Sequence, residues 1–145
     1  MIFRQLYDST SSTYTYLLAD EVSREALLID PVFGQAQRDL ALVAELRLTL
    51  RLMVETHVHA DHVTAAWLLK QKTGCDIASA KVIGAEHVDL PLEEGEAFGV
   101  GDVRLQAMAT PGHTDGCMSF VFTDASMVFT GDALLIRGLR QISQA

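Results

Sequence analysis

Residues 50–67 read LRLMVETHVHADHVTAAW, and the reading of this stretch decides what the rest of the chain must be. Leu50 to Glu55 have the apolar character of a short buried strand. From Asp61 or His62 onward a helix begins, with Val63, Ala66 and Trp67 toward the interior and Gly74 as its stop. Between the two, His57, His59, Asp61 and His62 fall within six positions. Titratable groups packed that closely disfavour one another's charged forms unless a cation gathers them. Neutral imidazole and ionised carboxylate are donors that borderline first-row metal ions accept. A strand that runs into such a loop at the start of a helix points to a metal site at a sheet edge, on rigid supports.

Working outward, the first thirty residues read as three strands, IFRQLY, YTYLLAD and EALLID, the last ending before Pro31. Gly34 to Leu48 read as a helix, with Ala36, Leu40, Val43 and Ala44 on one face. Beyond Gly74 comes a polar stretch, then three β-rich runs, DVRLQAMAT, CMSFVFT and SMVFTGD. Turns reading PGHTDG and TDA separate these runs. Strands at both ends with helices between them predict a mixed α/β layered domain over residues 1–145.

The four clustered residues cannot complete a metal site alone. His113 lies in the turn TPGHTDG and Asp132 in FTGDA, each just past a strand. Pro111, Gly112 and Gly131 are the residue types that let a tight loop carry a ligand close to a metal. Outside this set, His87 reads as a surface or hydrogen-bonded residue and Cys117 as core beside Met118 and Phe120. Cys75 receives no function.

HVHADH, TPGHTDG and FTGDA, in this order, resemble the metallo-β-lactamase superfamily. SSTYTYLLAD, ALLIDPV, ETHVHADHVTAAWLLK and MVFTGDALLIRG are similar, more closely, to its persulfide dioxygenases, over about Phe3 to Gly138. The resemblance implies an αββα sandwich, two sheets face to face with helices outside. It also implies one Fe(II) held by His57, His113 and Asp132, two histidines and a carboxylate with positions left open for substrate and dioxygen. His59, Asp61 and His62 then orient ligands and move protons. The implied substrate is glutathione persulfide, oxidised to sulfite with return of glutathione. The alternative is a glyoxalase II-like hydrolase of glutathione thioesters. In that case His57, His59 and His113 hold one Zn(II), Asp61 and His62 serve a second metal, and Asp132 bridges them. That second site also needs a later histidine, and none follows His113.

The persulfide dioxygenase pattern breaks off after LLIRG, and residues 139–145 depart from it. The sandwich is therefore expected to lack most of its C-terminal half, with Arg137 or Arg140 standing in for substrate recognition. An inactive remnant becomes the third reading. Loss of that half would leave the inner face of the first sheet open, which a homodimer is expected to cover. An apolar content of 49% fits such a face.

A formal charge of −8 argues against nucleic acid and anionic membranes as partners. Two cysteines make no disulfide framework. No apolar run approaches the ~20 residues of a membrane span, and residues 1–16 show no basic stretch followed by an apolar one. The cytoplasm is the expected compartment.

Overall fold

The computed structural model describes residues 1–56, 60–81, 88–109, 118–123, 127–129 and 142–144, with backbone alone at 60–64, 109 and 142–144. Aromatic and branched residues dominate the N-terminal strands β1 (Ile2–Asp8), β2 (Thr13–Ala19) and β3 (Glu25–Ile29). A 3-10 turn (Phe33–Gln35) leads into helix α1 (Ala36–Glu45), then β4 (Thr49–Val54) and helix α2 (Ala60–Thr73). Strands β5 (Asp76–Ala80), β6 (Leu90–Leu92), β7 (Ala97–Val100), β8 (Val103–Ala109), β9 (Met118–Phe122), β10 (Met127–Phe129) and β11 (Ile142–Gln144) follow.

They form two sheets, β1-β2-β3-β4-β5-β6 and β11-β10-β9-β8-β7. In the first sheet β3 to β6 are parallel, while β2 runs antiparallel to both its neighbours. Successive side chains on a strand point to opposite faces. Tyr16, Leu18, Leu27, Ile29, Leu52 and Val54 accordingly face the second sheet, where they meet Phe98, Leu105, Phe120, Phe122 and Phe129. Leu17, Leu28, Met53 and Ile77, on the opposite face, pack with Ala36 and Val43 of α1 and Ala66 and Leu69 of α2. Burial on both faces is why β2 and β3 read as continuous apolar runs. The second sheet alternates instead: Val103, Leu105 and Ala107 are buried, whereas Arg104, Gln106 and Met108 are exposed.

Several expectations change here. The first sheet's inner face is not open, because residues of β7 to β10 of the same chain pack on it, and the reason for a covering second copy falls away. Among the described residues the face without helices is the outer one of the second sheet, which its polar residues suit to water. The polar stretch after Gly74 holds three strands, β5, β6 and β7. Trp67 is 52% exposed; Ala65, Ala66 and Leu69 make the buried side of α2. Ala44 is exposed on α1, while Asp39 is fully buried. Gly74 does stop α2: its φ is 72° and its N–H donates to the carbonyl of Lys70 at 2.8 Å.

Candidate metal centre

Ligands in open α/β sheets gather beyond the carboxyl ends of the parallel strands. Here that edge carries the C-terminal ends of β3, β4 and β5, in register at Ile29, Val54 and Ala78. The histidine cluster leaves β4 at this edge. The backbone N–H of Met118, which opens β9, donates to the carbonyl of Thr56 at 2.7 Å. Met118 is paired with Ala109 at the end of β8, so the turn containing His113 begins and ends beside the residue that precedes His57. β10 runs antiparallel to β9 toward the same edge and stops at Phe129, opposite Phe120, three residues short of Asp132. Three strand ends leading to the three expected ligands therefore share one edge.

His57, His59, His113, Asp132, Arg137 and Arg140 lie outside the described residues, as do His87 and Cys117. Asp61 and His62 fall in the first turn of α2, which begins at Ala60. Among the described residues no group of three His, Cys, Asp or Glu is placed to hold a metal. A metal held here would take its donors from the loops that follow these strands, and two imidazoles with a carboxylate are a set that fits a divalent first-row ion.

What the described residues supply is the support. Asp30 is fully buried with φ at 53°, a left-handed conformation that a residue with Cβ adopts at a cost. Its carboxylate accepts the Thr56 N–H at Oδ1 (2.8 Å) and the Thr56 hydroxyl at Oδ2 (2.6 Å). Its backbone is held as well: its N–H donates to Val54 O, and its carbonyl accepts the Thr15 hydroxyl, both at 2.8 Å. The residue immediately before His57 is thus clamped by charge-assisted hydrogen bonds. Glu55, 5% exposed, has its N–H on Ala78 O while its Oε1 finds no partner among the described residues. Burial first, then the charge of Asp30, pushes its carboxyl up to about 8, which leaves it mostly protonated at neutral pH. Ser79, beside it on β5, also has a buried Oγ without a partner among the described residues.

Reading the sequence alone assigned no role to Asp30 or Thr56. The available signal was a carboxylate closing the apolar run ALLID, a place where an ionised group is retained only if something pairs with it.

The chain belongs to the metallo-beta-lactamase superfamily, whose family model matches residues 9–144. It is 50% identical over 139 residues to the bovine mitochondrial persulfide dioxygenase ETHE1, covering 95% of this chain and 54% of that one. The human counterpart is 49% identical over the same length. The crystal structure of ETHE1 from Myxococcus xanthus superposes with a TM-score of 0.87 at 52% identity, covering 94% of this chain and 60% of that one. A hydroxyacylglutathione hydrolase of Cereibacter sphaeroides is 33% identical over 130 residues, covering 88% of this chain and 50% of that one. The chain thus spans about half the length of the curated relatives it matches. Among the described residues no helix is long and apolar enough to cross a membrane.

Proposed function

We propose that the chain is a persulfide dioxygenase, with one Fe(II) held by His57, His113 and Asp132. The observation that carries this reading is the 50% identity to persulfide dioxygenase over 95% of the chain, against 33% for the hydrolase. The shared strand edge supports it from the side of geometry. When bound, ferrous iron supplies the redox chemistry by which a sulfane sulfur reacts with dioxygen.

In the net reaction a thiol persulfide, dioxygen and water give the free thiol, sulfite and two protons. The sulfur gives up four electrons and dioxygen takes them. The chain's own part begins with Asp30, which fixes Thr56 and so the exit of the histidine loop from β4. Glu55, mostly protonated at neutral pH, adds little further negative charge beneath that loop. His59, Asp61 and His62 orient the ligands and carry protons, and Arg137 meets the anionic substrate. The cytoplasm is the proposed compartment; the mitochondrial designation belongs to the bovine and human relatives.

The test is metal content after anaerobic reconstitution with ferrous iron, followed by oxygen uptake with glutathione persulfide. About one iron per chain and stoichiometric sulfite are expected. Preference for zinc with hydrolysis of glutathione thioesters would establish the second reading, which the hydrolase likeness favours. Retention of no metal would leave a fold without the activity.

A further inference from the structure

The chain has three tyrosines, and the rings of all three stand in one file. Tyr7 and Tyr14 are cross-strand partners on β1 and β2, with ring centroids 4.9 Å apart. Tyr14 and Tyr16 share a face of β2 and stack at 6.4 Å. Exposure rises along the file: Tyr16 is fully buried, Tyr14 half-buried and Tyr7 47% exposed. On its other side Tyr16 meets Phe129 at 5.0 Å and Phe3 at 6.0 Å.

The file passes beside the metal edge. Tyr16, Ile29 and Val54 are in register across β2, β3 and β4 and face the second sheet. β2 runs opposite to β3 and β4, so two residues nearer the edge come Tyr14 and, past the end of β4, Thr56. Asp30 ties this level together, its carbonyl on the Thr15 hydroxyl and its carboxylate on Thr56. Two strand spacings of ~4.8 Å put Tyr14 roughly 10 Å from Thr56 along the backbone, within one electron-tunnelling step of the loop that His57 enters. Tyr14 packs on the inner core, the side on which the His113 turn begins and ends.

Stacking across a strand pair is served as well by phenylalanine. What a phenol adds is redox chemistry, because it gives up an electron when its proton can leave too. Burial first pushes the Tyr16 hydroxyl up to about 12, so Tyr16 keeps its proton and makes a poor trap. Tyr7 stands in water, which takes a proton at once. Oxidation therefore runs outward along the file, never inward.

We infer that Tyr14 and Tyr7 form an escape route that carries stray oxidising equivalents from the metal edge to solvent. The inference rests on the proposed function for their origin, dioxygen consumed with no substrate sulfur at hand. Tyr14 gives one electron to the oxidised edge and its proton to water. Tyr7 restores Tyr14 in the same way. The Tyr7 radical then takes a hydrogen atom from a thiol, the class of molecule that the proposed reaction releases. Two such events turn two thiols into one disulfide, with two electrons and two protons passed on.

The first experiment needs no metal. A photo-oxidant is attached to Ala60→Cys, at the start of α2, in a Cys117→Ser background; Cys75, 1% exposed, does not compete. A flash should produce a neutral tyrosyl radical, read by transient absorbance and EPR. Tyr14→Phe keeps the ring packing and should lower the yield at least fivefold. Tyr7→Phe should leave the yield but prolong the radical at least fivefold in the presence of glutathione. Tyr16→Phe is the control, expected to alter neither. In the iron-loaded chain under dioxygen without persulfide, the Met118 thioether at the same edge reports the damage. Its sulfoxide should accumulate at least threefold faster in Tyr14→Phe, read by mass spectrometry. No tyrosyl radical after the flash, or a yield indifferent to Tyr14→Phe, overturns the inference. Either result beside persulfide-dependent oxygen uptake refutes the route and leaves the dioxygenase. A Tyr14-dependent radical in a chain that takes up no oxygen when loaded with iron refutes the dioxygenase and keeps the route.

Discussion

Ile29, Val54 and Ala78 stand side by side on β3, β4 and β5 and face the second sheet; the next residues along, Asp30, Glu55 and Ser79, are as buried and wholly polar. The apolar row belongs to an interior in which Phe98 meets Phe120 edge-on at 5.1 Å and Tyr16 meets Phe129 at 5.0 Å. Such contacts and the area they remove from water stabilise the fold. In the polar row Glu55 Oε1 and Ser79 Oγ have no partner among the described residues, and a buried unpaired oxygen costs about 1–3 kcal/mol. The contrast teaches that the edge is organised for something other than stability, at the point where the histidine loop leaves the sheet.

The comparison breaks most sharply in the interior. Phe120→Ala, at a fully buried position, should lower unfolding free energy by about 3–5 kcal/mol. Chemical denaturation measures this, and a loss below about 1 kcal/mol would mean that the two sheets are not closely packed. Asp30→Ala should cost less, about 3 kcal/mol, because two donors on Thr56 lose a charged acceptor. Unlike Phe120→Ala, it should also reduce iron retention more than its stability loss accounts for, read as metal content at a temperature where both variants are folded.

Asp39 extends the contrast to a helix. Burial, only partly offset by Arg38, lifts its carboxyl to about 6 from 3.8. The folded state therefore holds this proton more tightly than the unfolded chain does. The associated stability is full below about pH 4 and is lost as pH rises through about 6. Asp39→Asn should flatten that slope in denaturation midpoints taken between pH 4 and 7, an effect of about 1–3 kcal/mol. If the slope survives the substitution, another group carries it. The smallest effect belongs to Trp67, half exposed on α2: Trp67→Ser should change stability by about 0.5 kcal/mol or less.

These residues also show what could be read without coordinates. The double-faced strands were legible because YTYLLA and EALLI keep apolar residues at every phase, and α2 because Gly74 marks its end. The strand ends that share one edge were legible in outline, since runs of strand character precede each expected ligand, while the ligands themselves lie outside the described residues. β5, β6 and β7 were not, being built on Asp-Ile-Ala-Ser-Ala, a Pro-centred triplet and a Gly-containing tetrapeptide. Their own propensities are poor, and pairing to β4 and β8 makes them strands. Trp67 was expected inward with Val63 and Ala66, whereas the buried side of α2 is turned to the small Ala65 and Ala66, which let it lie close to the sheet. Asp39 was invisible as a buried group because only tertiary packing closes water away from it, whereas Asp30 left a trace in the apolar run it closes.

One hydrogen bond carries a consequence of a different kind. The Met118 amide, bonded to Thr56 O at 2.7 Å, bridges the two sheets where the loops of His57 and His113 begin and end. Its deuterium exchange is a clock for separation of the sheets at that seam. An ion bound across both loops would slow that clock and leave the amides of β7, at the far edge of the second sheet, exchanging at their old rates.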